Sequence, residues 1–549
     1  MRTFALASML VLSGCAWVRG YAEGHADLPV YPDRYAGLAH FLYDDFHGIT
    51  TDTLATNASS WKLAAAALVR WRASQGDAIP ETEDAFAQLL VTRYGFLRPT
   101  RVANWPAEVP APALDKPLGL VSATIAREVP HFRLEAVNQG CGTCHAANLY
   151  DAQGNPDPTT AWIGLPSGSV HMKRYADELY QAFLAASEAP EPVLATMDRM
   201  FPAMPADERA TIRRFLLPTL QRVLPRLRDQ LGGFQPFDLG GPGLTNGVGA
   251  MKVNNRLVAR DQKLADETAF TSIPDFGALH VRTSLLFDGV YTRPGWAHEG
   301  ERPADRDDAA QAEGIGGVAA LFTIGTMGVH PKDGPENVPA VIEIVRWAMQ
   351  DYRPPPFPGP IDTPKATEGR AVYDASCASC HGTYDDGPAP HRLVTYPNRA
   401  VSQAFMGTDP TRWEKTHGLY DERFARTPMG AFVDLRETNG YVALPLTALW
   451  ATAPYLHNGS VPTLWHLMHP EARPVTFQVG GHALDLDKVG IRGEPVGDDW
   501  RYPAAYQPWM LPDTYDTERP GHSRAGHVAP FDSLTEAQKD ALLEFLKTV

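Results

Sequence analysis

Apolar positions recur at helical spacing in several separate stretches of this chain, with long polar connections between them. Residues 61–71, which contain the run Leu63-Ala64-Ala65-Ala66-Ala67-Leu68, predict a helix, as do 83–94, 173–187 and 338–352. Residues 206–231 read as helical but carry Pro218 and Pro225, which predict breaks because proline has no N–H to give the helix. Residues 23–60 read as a tether, the Pro-rich stretch 106–117 as a linker and the Gly-rich stretch 232–249 as a loop. Between 250 and 335 the periodicity is too weak to place elements. The proline run 354–360 cannot continue a helix and marks a boundary. Beyond it, Thr363-Pro364 opens a helix with proline at its first position, and Gly369 and Tyr373 share one of its faces. The last helix has Ser533 and Glu536 as a capping box and Leu534, Ala541, Leu542, Phe545 and Leu546 along one stripe. The expectation is a mainly α protein with long loop insertions and an N-terminal helical extension.

Two pentapeptides add chemistry to this pattern, Cys141-Gly142-Thr143-Cys144-His145 and Cys377-Ala378-Ser379-Cys380-His381. This spacing attaches a c-type haem: the thiols add to its vinyl groups and the adjacent imidazole becomes the proximal iron ligand. Zinc usually wants four ligands where each motif supplies three, and a redox dithiol has no need of the trailing histidine. Two covalently bound haem c groups are therefore predicted, on Cys141, Cys144 and His145 and on Cys377, Cys380 and His381. In small class I cytochromes c the helix before the motif crosses the last helix at a glycine and an aromatic. Gly369, Tyr373 and Phe545 would supply that crossing. The chain then divides into a segment 1–15, a tether and N-terminal extension 16–110, and two class I cytochrome c-like haem domains, the first over 111–355 with an insertion and the second over 356–549.

The sixth ligands are less determined. In class I cytochromes they come from the loop before the last helix, here Gly521-His522-Ser523-Arg524-Ala525-Gly526-His527. His527 is the choice for the second iron and His522 the reserve, with His457, Met429 and Met468 left open. A bis-histidine iron has a lower potential than a His/Met one. For the first iron, His171 and Met172 are the candidates. If one of them binds, this haem only carries electrons; if neither does, its open face can take peroxide or dioxygen.

The 549 residues are 44% hydrophobic and 21% charged, enough for two or three globular domains. A net charge of −15 argues against nucleic acid and would suit a basic electron-transfer partner protein. Of the five cysteines, only Cys15 lies outside the motifs. Arg2, the apolar run 4–12 and Leu12-Ser13-Gly14-Cys15 match a bacterial lipoprotein signal and cleavage box; the rival reading is an ordinary signal peptide with an incidental cysteine. After cleavage Cys15 would carry the lipid, and with no other long apolar stretch the membrane contact would be that anchor alone. Ala16 in place of an aspartate points to the outer membrane, in the bacterial cell envelope where haem attachment also takes place. A calcium ion is left open.

Leu449-Trp450-Ala451-Thr452-Ala453-Pro454-Tyr455-Leu456-His457-Asn458-Gly459-Ser460-Val461-Pro462-Thr463-Leu464 resembles a signature of the bacterial di-haem cytochrome c peroxidase superfamily. Tyr396-Pro397-Asn398, Gly407-Thr408-Asp409-Pro410, Arg473-Pro474 with Phe477, and Ala525-Gly526-His527 look most like its di-haem rubber-oxygenase branch. The resemblance is fullest over 355–549, extends to 138–180 through Gly164-Leu165-Pro166-Ser167, thins between 180 and 350, and is absent before 110. Two positions depart from the peroxidase branch. Glu471 stands where its methionine ligand would be, and Ala161 where the first haem would have a dissociable histidine. The resemblance implies an oxidoreductase whose first haem activates peroxide or dioxygen, or acts on an unknown organic substrate, while the second, on His381 and His527, exchanges electrons. Cleaving a peroxide would need a distal acid–base group and a charge stabiliser. His280, Arg282 and Asp288 are the candidates in the middle segment, and Trp296 is a candidate relay or packing residue. The rival readings are a pure electron carrier with two six-coordinate haems, and a maturation oxidase acting on a partner protein.

Overall fold

The computed structural model describes residues 26–49, 57–128, 131–258, 263–264, 268–416 and 422–549. The helices foreseen near the N-terminus form as Trp61–Ser74 and Glu83–Tyr94. Ser60 caps the first through the Leu63 N–H, and Thr82 caps the second through that of Ala85. Every residue from Leu63 to Val69 is buried, because helix Trp61–Ser74 packs against Met172–Glu188, Pro190–Met200 and the strand Phe132–Gln139. A second core gathers Ala36–Tyr43, Asp308–Ala319 and Val338–Gln350. A third belongs to the C-terminal part, from Phe357 to Val549, with Leu244, Phe270 and Ala278 joining it.

Helix content does not dominate, and the expectation of a mainly α protein is corrected. Among the described residues there are 21 short strands in eight sheets of two to four strands. The longest pair is the antiparallel hairpin Leu120–Arg127 and Phe132–Gln139, with Ser122 opposite Val137 and Ile125 opposite Leu134. Its alternation is carried by Val121, Ala123 and Ile125, which point inward. Ala123 among the inward positions is too small to mark the two-residue periodicity strongly. The other sheets are made where loop insertions fold back on themselves. Thr476–Val479 pairs with both Asp499–Arg501 and Asp513–Asp516. Backbone groups of long insertions need partners once covered, and short ladders supply them without a periodic side-chain pattern.

Other departures have local causes. Pro218 and Pro225 do not break the helical stretch: a π-turn over Ile212–Leu216 precedes Leu217–Leu231, placing Pro218 in the first turn, and the helix continues through Pro225. A π-turn is a known way to absorb such a mismatch. The stretch 106–117 is no free linker, since Val109 is buried and Trp105 Nε1 donates to the Pro110 carbonyl at 3.0 Å. The capping box of the last helix is Thr535 with Gln538. Ser533 is spent in a 3₁₀ turn, where its hydroxyl donates to the Pro530 carbonyl at 2.8 Å. The unplaced region 250–335 contains the helices Asp308–Ala319 and Leu321–Met327 and the paired strands Ser284–Leu285 and Tyr291–Thr292. Among the described residues no helix is long and apolar enough to cross a membrane. Cys15 lies outside the described residues.

The crossing that positions the second motif forms as foreseen. Helix Thr363–Ser376 lies across helix Glu536–Leu546, and a Cβ on Gly369 would stand 1.8 Å from the Ala541 carbonyl oxygen. Only glycine allows this approach. The Tyr373 and Phe545 rings meet beside it with centres 5.0 Å apart.

Candidate haem centres

Helix Thr363–Ser376 runs directly into Cys377, and the turn Ala378–His381 brings both cysteines and the histidine to one end of the crossing. The peptide N–H of His381 donates to the Cys377 carbonyl at 3.0 Å, which winds the pentapeptide into a single turn. The His381 side chain is then oriented from outside: its Nδ1 is 2.7 Å from the Leu444 carbonyl. A carbonyl can only accept, so the proton sits on Nδ1 and the Nε2 lone pair is free. Burial lowers the affinity of His381 for a second proton, keeping the ring neutral.

Across from it stands His527. The two ring centres are 6.3 Å apart, with planes inclined by 44°. That spacing leaves room for one metal between the two rings, at nitrogen bonds of about 2.0 Å. His527 is neutral as well, pushed down to about 4 by burial and then by the neighbouring His381. Its backbone is in the left-handed region, φ 51°, directly after Gly526 at φ 83°. Arg473 holds this conformation: its buried guanidinium donates to the carbonyls of Arg524 at 2.6 Å and Gly526 at 2.8 Å, and to those of Leu467 and His466. The His527 N–H donates to the Met406 carbonyl at 2.8 Å.

The other sixth-ligand candidates are engaged elsewhere. His522 stacks on Tyr515, with centres 4.5 Å apart, and meets Phe270 edge-on. His457 stacks on Tyr441 at 4.2 Å. Met468 is buried in the C-terminal core and Met429 in the core that gathers Asp308–Ala319 and Val338–Gln350.

The first motif is built differently. The strand Phe132–Gln139 delivers the chain to Gly140, and Cys141–Cys144 makes one helical turn. Gly119 braces that turn: its carbonyl accepts from Gly140 N–H at 2.6 Å and Thr143 Oγ1 at 2.8 Å. With φ at 85° and a would-be Cβ 2.0 Å from Thr143 N, this position also requires glycine. The His145 ring packs on Phe276, with centres 4.6 Å apart, too close for a metal to stand between them. Phe41, from the N-terminal extension, meets Phe276 in turn at 5.8 Å. Burial pushes His145 down to about 4, opposed by a hydrogen bond to the Pro274 carbonyl. His171 is spoken for at both nitrogens: Nε2 is 2.8 Å from Asp513, and Nδ1 accepts from Arg174 N–H. Met172 packs against the core around helix Trp61–Ser74.

None of the four motif cysteines is in a disulfide. Burial pushes Cys141 and Cys377 up to about 12 and Cys144 up to about 11. A redox dithiol depends on a stabilised thiolate, which this burial opposes. Among the described residues no three His, Cys, Asp or Glu side chains gather in a metal-holding group.

The middle-segment candidates occupy distinct positions. His280 Nε2 is 3.4 Å from the carbonyl of Leu393, in the strand that pairs beside the second motif. Asp288 is buried against Arg412, with oxygen and nitrogen 2.8 Å apart. Arg282 is buried, and its Nε donates to the Ser284 carbonyl at 3.2 Å. Trp296 packs on Gly314 with the Arg306 guanidinium 3.5 Å from its ring centre. Sequence reasoning missed Leu444, Phe276, Asp275 and the clamping role of Arg473. Arg473 alone carried a signal, through its place in the family-like Arg473-Pro474 pair.

A family model described as RoxA-like, cytochrome c-like matches residues 440–478. That segment carries both Leu444 and Arg473, so the match falls on the shell of the second motif. The match supports, coarsely, a cytochrome c-like, haem-binding character and the rubber-oxygenase side of the resemblance. Two uncharacterized proteins of Sinorhizobium fredii are similar to parts of it. Protein y4iJ is 30% identical over 36% of this chain and 41% of its own length, and y4iM is 32% identical over 34% of this chain and 45% of its own. The chain therefore spans less than half the length of the curated relatives it matches.

Proposed function

We propose that this protein is a di-haem c-type cytochrome oxidoreductase in which the first haem activates peroxide or dioxygen and the second transfers electrons. Bound covalently, haem c would supply one-electron chemistry at both motifs and oxygen-species chemistry wherever the iron keeps an open position. The observation that carries this reading is the unequal company of the two proximal histidines. His381 faces a second neutral imidazole at 6.3 Å, which suits a saturated electron-transfer site. His145 has a phenyl ring against its own face, and His171 is committed to Asp513 and Arg174. Around the first motif the residues exclude water from the proximal side: Phe276 and Phe41 form an apolar wall beside His145. The proposal places the protein in the bacterial cell envelope, lipid-anchored through Cys15, with an electron-transfer protein as partner.

Optical and electron paramagnetic resonance spectra of the purified protein, as isolated and after reduction under carbon monoxide, test it. One low-spin and one high-spin haem, with half the haem binding carbon monoxide, is the expected result. Two low-spin haems that ignore carbon monoxide would turn the assignment toward a pure electron carrier.

A further inference from the structure

Arg282 is 2% exposed, yet among the described residues it forms no ion pair. Its Nε is satisfied by the Ser284 carbonyl, and its Nη2 has no partner. A buried guanidinium left without an anion is among the costliest arrangements a fold can hold, and it implies a negative group that completes it. Asp275 acts on Arg282 only through space. Its oxygens are already taken by Thr447 at 2.6 Å, by the Gly277 N–H and by Tyr352.

The backbone around Arg282 fixes where the missing anion belongs. Gln311 Nε2 donates to the Arg282 carbonyl at 2.7 Å. The side chains of Thr283 and Ser284 are tied to Asn398, which follows the second motif. Tyr396, the first ionisable neighbour acting on Arg282, donates its hydroxyl to the Ala443 carbonyl at 2.9 Å. The next carbonyl along, that of Leu444, orients His381. Arg282 therefore sits against the shell that holds the second proximal histidine. A haem brings two carboxylates of its own, fixed in place once the motif has been alkylated.

We propose that Arg282 anchors a propionate of the second haem, as a positioning and charge-setting residue. This rests on the di-haem reading above. A guanidinium suits the task because its planar fork can give a carboxylate two parallel hydrogen bonds, which a lysine cannot.

The test begins with haem counted per wild-type chain by pyridine haemochrome. Fewer than two would be a failure of the di-haem reading itself, apart from this proposal. With two present, R282Q and R282K are compared with wild type by spectroelectrochemical titration between pH 5 and pH 8. Removing a cation beside an iron favours the oxidised state. R282Q is expected to lower the second haem's reduction equilibrium tenfold or more, about 59 mV for a one-electron couple. It should also add a pH dependence as the freed propionate takes up a proton, while R282K keeps most of the potential. Unchanged potentials in R282Q, or a shift confined to the first haem, would overturn the assignment. So would a wild-type potential that follows exchange of chloride for phosphate, because the anion would then be a free one. If R282Q fails to load haem, the propionate bending band in the resonance Raman spectrum of R282K decides. It should move against wild type, and an unmoved band refutes the contact.

Discussion

The two Cys-x-x-Cys-His turns are near copies in sequence and differ in what faces them. His381 is oriented by the Leu444 carbonyl and looks across 6.3 Å at His527. His145 has the Pro274 carbonyl beside it and is pressed against Phe276 at 4.6 Å. The pentapeptide specifies attachment and one ligand; what faces each proximal histidine is supplied by residues far away in the chain. The second site is also the more heavily braced. Arg473 alone satisfies four carbonyls around the His527 loop, while the first site relies on Gly119 and an aromatic wall.

The largest effect should come from erasing one member of the pair. Replacing both Cys377 and Cys380 by alanine is expected to halve the haem per chain by pyridine haemochrome while leaving the first haem attached, and C141A/C144A should do the reverse. His527→Gly should leave both haems attached but remove the inequality between the sites, raising the fraction that binds carbon monoxide from half to nearly all. A second haem that stays low-spin in this variant would refute His527 as its ligand. Gly369→Ala forces a Cβ into the Ala541 carbonyl, and a loss of about 3 kcal/mol in chemical denaturation is expected, the scale of a severe overpacking. Arg473→Met should cost about 2 kcal/mol, the scale of lost charged hydrogen bonds, and add a high-spin fraction at the second site only.

How much of this was legible beforehand follows from the kind of signal each feature leaves. The crossing at Gly369, Tyr373 and Phe545 was readable, because helical spacing and a strict motif sit side by side. His527 was readable only through its loop and its resemblance, since a lone histidine carries no periodicity. Leu444 was invisible: it acts through a backbone carbonyl, which any residue provides. The hairpin Leu120–Arg127 and Phe132–Gln139 was missed because its inward positions include Ala123 and Ala136, too small to mark an alternation. Arg282 was legible as a charge in a suggestive place, but its lack of a partner is a property of the packed interior.

A further expected effect is a pH response of the C-terminal part. Burial holds His482 and His522 down to about 4, well below the ordinary histidine value of about 6.5. Unfolded, these rings take up protons below that ordinary value, while the folded protein resists until about 4. Their contribution to stability is therefore complete above pH 6.5 and is lost as the pH falls toward 4. The thermal midpoint should drop by several degrees across that window. H522Q, where neither state titrates, should flatten the slope.

The wall that shelters His145 has one more consequence, in the order of events during biogenesis. Phe276 and Pro274 emerge from synthesis well after the first motif, and Leu444 and His527 well after the second. On the di-haem proposal, a chain delivered from its N-terminus would present each pair of thiols before the segments that enclose it arrive, and folding itself would close the interval for attachment.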